Sequence, residues 1–183
     1  MTGSTDGLPA HPDLAGASAA MREEWRAEQD AAAADAAEQW RHRRTLADRI
    51  TEHMHGGDRL AVMVAGYRFT GIPEETGPDL LALRTIFGRV DIHVAPGIPV
   101  TFEVYERSAS TGGRGNAMAG GQFRNALLHH EHDTEATLGT LTEPDGVDGR
   151  LEVGVDHVKV IARAGAETVV TFDTITWVGP RRT

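Results

Sequence analysis

The densest run of chemically capable residues is His129-His130-Glu131-His132-Asp133. Imidazole and carboxylate are the donors that a zinc or nickel ion takes, but adjacent residues on a helix point apart. Among the histidines only His129 and His132 stand three apart, which is the spacing that brings two ligands onto one helical face. The run therefore reads as a solvated helix end with its imidazoles near the negative pole of the helix dipole. No metal and no cofactor are expected. His53, His55, His93 and His157 lie beside Glu52, Asp58, Asp91 and Asp156. Alternation along a strand puts Asp91 and His93 on one face, the arrangement of an acid–base pair, although strand residues of this type are ordinarily solvated. The chain has no cysteine, which removes thiolate nucleophiles, thiolate metal sites and disulfides. No nucleophile elbow, dinucleotide fingerprint or metalloprotease motif is present. These residues point away from an enzyme.

Binding chemistry has two candidates. Arg41, Arg43 and Arg44, with His42 between them, form a basic patch that suits a phosphate or an acidic partner, with Glu38 and Asp48 near enough for intrahelical ion pairs. Gly112-Gly113-Arg114-Gly115 offers backbone N–H groups and one guanidinium to an anion, but it lacks the lysine and hydroxyl of a phosphate-binding loop. The 183 residues carry 27 acidic against 18 basic side chains, a net charge of −9. That balance opposes general duplex binding, which rests on neutralising phosphates. No apolar run approaches the roughly 20 residues that span a bilayer, and the first residues lack the layout of a secretory signal. The expected compartment is the cytoplasm, without membrane association.

The elements that would position these groups fall into five stretches. Residues 1–13 are poor in apolar anchors and read as a disordered tail. Residues 14–57 read as one long helix: Met21, Trp25, Ala32, Ala36, Trp40, Ala47, Ile50 and Met54 recur at helical spacing, and Gly56-Gly57 stops it. A break in the Ala31–Ala37 region is the alternative. Such a helix outreaches a small domain, so a homo-oligomer through it is one expectation. Residues 58–107 alternate with period two and read as a first strand unit, with Gly88-Arg89 as a hairpin turn. Residues 108–136 combine a Gly-rich loop with a short helix whose apolar side is Phe123, Leu127 and Leu128. Residues 137–180 return to strands, with turns at Asp145-Gly146 and Asp148-Gly149.

An internal echo links the two strand stretches. Gly77-Pro78-Asp79-Leu80 lines up with Gly154-Val155-Asp156-His157, and eleven residues after each leading glycine stands another, Gly88 and Gly165. Without a gap, Ile92 then falls on Val169, Ile98 on Ile175 and Val100 on Trp177. Self-similarity at a fixed period is the mark of a duplicated unit.

The pattern Leu60-x-Val62-x-Val64-x-Gly66-x-x-Phe69-x-Gly71, followed by Gly77-x-Asp79-x-Leu81-x-Leu83, a turn at Gly88 and Val90-Asp91-Ile92, resembles the Sm-like group of SH3-type small β-barrels. The second stretch repeats Gly154-x-Asp156 and the turn at Gly165. Two features depart from the group: Pro73 interrupts the segment Gly71–Gly77, where the group continues its strand, and neither stretch has the late basic RNA-contact step. The resemblance covers residues 58–104 and 137–178 and implies two related small antiparallel barrels; with the long N-terminal helix before them the chain is expected to be α+β. The function the resemblance favours is that of a non-enzymatic adaptor, RNA-associated; the charge balance favours the alternative, a protein–protein scaffold in which the helix oligomerises and barrel edges recruit partners. A small histidine-dependent metalloenzyme is the third reading.

Overall fold

The computed structural model describes residues 12–109, 118–133 and 135–181, with backbone alone at 12–17, 118 and 119. Of the expected tail, residues 1–11 lie outside the described residues, and the first helix already starts at Pro12. The chain divides into two units, Met1–Arg44 and Thr45–Thr183.

Helix α1 (Pro12–Arg43) fills the first unit. Proline suits a first helical turn, and the alanine, glutamate and arginine that follow are strong helix formers. Its large apolar side chains are exposed: Met21 by 70%, Trp25 by 63% and Trp40 by 59%. The expected single helix is in fact two. The interruption falls at Arg44–Thr45 and not in the alanine tract, where nothing competes with the helical backbone. Thr45 starts α2 (Leu46–Gly56) as a reciprocal cap: its Oγ1 accepts from Asp48 N at 3.2 Å and its N–H donates to Asp48 Oδ2 at 2.8 Å. Gly57, left-handed at φ 71°, ends α2.

Among the described residues of the second unit, eleven strands and a third helix follow. In order they are β1 (Arg59–Val64), β2 (Tyr67–Thr76), β3 (Leu80–Thr85), β4 (Gly88–His93), β5 (Val100–Glu106), β6 (Met118–Ala119), α3 (Phe123–His130), β7 (Ala136–Thr140), β8 (Val147–Val153), β9 (His157–Ile161), β10 (Glu167–Thr171) and, after a 3-10 turn at Phe172–Thr174, β11 (Ile175–Pro180). The fold is α+β. Its strands run side by side as β10-β9-β8-β7-β11-β4-β3-β2-β1-β5, antiparallel throughout, and β6 adds a short parallel pair to β2. This is one open sheet and not two closed barrels: β11 takes the outer edge of β4, so the two halves join to each other.

Three local expectations change with it. Strand β2 continues through Pro73, because a bulge between Pro73 and Glu75 absorbs the missing donor. The β3–β4 turn is Ile86-Phe87, and Gly88 opens the return strand at φ 119°. Gly146 turns at φ 92°, but Gly149 lies inside β8.

The same order, a four-strand meander with the fifth strand back beside the first, occurs twice along the path. The turns Gly77-Pro78-Asp79 and Gly154-Val155-Asp156 are closed by matching bonds, Gly77 N–H to Leu80 O and Gly154 N–H to His157 O, both 2.8 Å. The carbonyls of Asp79 and Asp156 accept from Val94 N and Phe172 N at 2.8 and 3.0 Å. A Cβ on Gly71 would lie 2.7 Å from Arg84 O, and one on Gly149 would lie 2.6 Å from Ile161 O. Leu60 pairs with Gly71 and Val104; Ala136 pairs with Gly149 and Pro180. Leu81 pairs with Ile92, and Val158 with Val170. Strand pairing thus sets Ile92 against Val170, one residue beyond the ungapped expectation of Val169.

Each half has its own apolar cluster. Leu60, Val62, Phe69, Leu81 and Ile92 pack with Ile50 of α2, and Phe123 and Leu127 of α3 pack with Leu138, Leu151, Val158 and Val160.

Candidate functional site

The most concentrated charge in the second unit is a chain of five side chains under α3. Arg89 and Asp91 stand two apart on β4 and so share a face. Arg89 Nε donates to Asp91 Oδ1 at 2.9 Å, and its Nη2 reaches Glu75 Oε2 of β2 at 2.7 Å. Asp91 is wholly buried. His130, on the last turn of α3, donates from Nε2 to Asp91 Oδ2 at 2.9 Å and from Nδ1 to Asp133 Oδ2 at 2.8 Å. Two donor nitrogens facing two carboxylates describe an imidazolium, since neutral imidazole has a single N–H.

The electrostatics agree with that geometry. Burial pushes the Asp91 carboxyl up, but hydrogen bonds from His130 and Arg89 outweigh it and hold the group below the usual carboxylate range. Burial likewise pushes His130 down, and Asp91 and Asp133 more than reverse it, raising the imidazole above its ordinary value. Arg89, also opposed by burial, is raised by Asp91 and Glu75.

This corrects two sequence expectations. Asp91 does not pair with His93; it faces His130. His93 donates from Nδ1 to Ile175 O at 2.9 Å and stacks on Phe123 at 4.5 Å between ring centroids. The histidine run is not uniformly a solvated helix end, because His130 is only 4% exposed. The signal was in the spacing: Phe123, Ala126, Leu127 and His130 follow the i, i+3, i+4, i+7 rule of a buried helical face. Leu128, expected on that face, lies off it at 36% exposure. With both ring nitrogens held by carboxylates, His130 has none left for a substrate proton. The chain of charges fastens α3 to β4.

The other carboxylate–imidazole pairs are peripheral. Asp58 Oδ2 takes His53 Nδ1 at 2.9 Å rather than His55, and its Oδ1 accepts from Ser108 N at 2.8 Å. His157 Nδ1 meets Asp156 Oδ1 at 2.8 Å on the surface. Among the described residues no three His, Asp or Glu side chains are arranged to hold a metal ion. Arg41 and Arg43 project into solvent from the last turn of α1, and the Arg44 guanidinium lies over the Trp40 ring at 4.0 Å. Glu38 approaches His42 (3.8 Å), while Asp48 is engaged in capping α2. Arg114 and its glycines lie outside the described residues.

The second candidate surface is backbone. Among the described residues β5 pairs with β1 alone and β10 with β9 alone, so each leaves one edge of N–H and C=O groups open. Edges are commonly guarded by charged side chains, above all lysine, by proline, by a bulge or by shortness. Neither Val100–Glu106 (VTFEVYE) nor Glu167–Thr171 (ETVVT) contains lysine or proline; the guards they carry are Glu103, Glu106 and a bulge at Tyr105 on the first, and Glu167 on the second, a strand of five residues. Both are built from β-branched and aromatic residues, and Val169 and Tyr105 are exposed by 64% and 60%.

No helix among the described residues is long and apolar enough to cross a membrane. No protein-family model, curated protein or solved structure matches this chain.

Proposed function

We propose that this chain is a non-enzymatic binding scaffold: two copies of one Sm-like, SH3-type strand unit laid edge to edge, which takes partner strands on the open edges of β5 and β10. The observation that carries the reading is the doubled strand order with one internal junction, β11 on β4, and two edges left over. Matching bonds at the Gly77 and Gly154 turns, and the glycine pair Gly71 and Gly149 crowding equivalent carbonyls, support a common origin for the halves. In this reading Gly88 and Gly165, at φ 119° and 85°, are the counterpart hairpin glycines. The fully occupied nitrogens of His130 support the absence of acid–base chemistry at the buried charges.

Strand addition is tested by titrating extended heptapeptides of alternating apolar and polar residues into the isotopically labelled chain. Amide shifts confined to β5 and β10 are expected. Shifts confined to other elements, or none, would remove the scaffold reading.

RNA association is a second reading, favoured by one observation: the exposed Trp40 ring carries the Arg44 guanidinium at 4.0 Å, and Arg41 and Arg43 are exposed on the last turn of α1. Aromatic faces with arginine are how single strands are held without sequence preference. Salt-sensitive retention of a single-stranded RNA, lost on joint replacement of the three arginines by alanine, is the expected result. The net charge of −9 weighs on the other side, and no retention at low salt would end this reading.

A further inference from the structure

The internal junction says what fits the open edges. Strand β11 holds in its half the place that β5 holds in the other, since each lies beside the first strand of its meander: Leu60 pairs with Val104 and Ala136 with Pro180. Strand β10 likewise holds the place of β4, because Leu81 pairs with Ile92 and Val158 with Val170. The chain therefore already contains one antiparallel pairing between a β5-type and a β4-type strand, at Trp177 with Ile92 and Val178 with Asp91. Among the described residues it leaves one strand of each type unused on one edge. We infer that the chain associates head to tail with itself, β5 of one copy pairing antiparallel with β10 of the next. This rests on the scaffold reading and names its partner as a second copy of this chain.

The correspondence fixes the register. Trp177 stands where Thr101 does, because Gly139 and Met63 are their partners in equivalent strands. Carrying the junction over puts Thr101 opposite Val170, Phe102 opposite Val169, Glu103 opposite Thr168 and Val104 opposite Glu167. The side chains agree with this placement. No two acids face each other across it, and the exposed Val169 meets the Phe102 ring. Directly opposed residues approach to about 4.5–5.5 Å between Cβ atoms, close enough for such pairs to contribute. A heterologous contact of this kind repeats from copy to copy, and the assembly stops only by closing into a ring.

Two measurements on the full chain test it. Light scattering across a concentration series should give particles heavier than one chain. Thr168→Glu, at an exposed site, sets an acid against Glu103 and should weaken association about fivefold. Adding Glu103→Lys to it should restore the lost affinity. Because the chain has no cysteine, Thr101→Cys with Val170→Cys provides the only thiols, and a short bis-maleimide should link them into a ladder beyond the dimer. A single-chain mass at every concentration overturns the inference. So does a mass that Thr168→Glu leaves unchanged, or a dimer that either single cysteine variant cross-links as well as the double one, which marks two-fold pairing of like strands. Peptide shifts at β5 and β10 without self-association would leave the scaffold reading standing and remove this one alone.

Discussion

At the scale of single residues, the buried charges are the feature that elementary physics would avoid. Asp91 is fully enclosed, and an unpaired carboxylate there would cost several kcal/mol. It is tolerated because Arg89 and His130 both bond to it, with Glu75 and Asp133 balancing their charges. Removing one partner is the costly change. His130→Leu should destabilise the chain by about 3 kcal/mol in urea titrations, most of it from Asp91 losing a cation. The pH dependence follows from the directions of the shifts. His130 is raised in the fold, so its contribution is complete below the unfolded value of about 6.5 and is lost as pH climbs through the raised value. Asp91 is lowered, so its contribution is complete above about 3.9 and is lost as pH falls through the depressed value. Unfolding midpoints should decline on both the acid and the alkaline side, and His130→Leu should flatten the alkaline arm. An alkaline decline that persists in the variant would assign it to other groups.

At the scale of elements, a shared backbone does not mean a shared side-chain role. Asp79 and Asp156 sit in turns closed by the same hydrogen bonds, yet Asp79 Oδ1 accepts from Phe123 N at 3.1 Å and so caps α3, whose own N-cap Gln122 makes no side-chain bond. The Asp156 carboxylate, mostly exposed, bonds locally, to the neighbouring His157 and to its own backbone, and caps no helix among the described residues. Asp79→Ala should therefore cost about 1 kcal/mol, as a lost cap does, while Asp156→Ala should stay within about 0.5 kcal/mol of wild type by thermal denaturation. Equal losses would mean that the turn, and not the cap, uses the carboxylate. Much of this level was legible in the sequence. Period two marked β1, β3, β4 and β9 to within a residue or two, and Gly57 marked the end of α2. Less visible were features whose cause lies across the fold. The helix break at Thr45 was signalled by Thr45 and Asp48 standing three apart, a capping box inside a run otherwise ideal for helix. The passage of β2 through Pro73 was hidden, because a bulge is set by the partner strand.

At the scale of the whole second unit, the halves exchange core residues across their junction. Trp177, on β11, is buried in the cluster of β1–β4, where it meets Phe69 edge-on at 5.0 Å, and its Nε1 bonds Pro144 O at 3.1 Å. Leu80, at the start of β3, is buried with α3 and the strands of the other half. His130 adds the buried bond from α3 to β4. Such reciprocal insertion was invisible to a reading that gave each strand stretch its own barrel, because periodicity reports which face is buried and not which core receives it. It also sets how the unit unfolds. If each half were an independent domain, Val62→Ala and Leu80→Ala would act on separate transitions. With the cores interlocked, both halves should melt together. Leu80→Ala, which removes a side chain 2% exposed, should lower the single midpoint by the amount expected for about 2–5 kcal/mol. The check is native-state hydrogen exchange, in which amides of β3 and β9 should converge on one opening free energy in wild type and fall together in the variant. A fall limited to β7–β11, with β1–β4 unchanged, would show that the junction transmits no stability and that the halves stand alone.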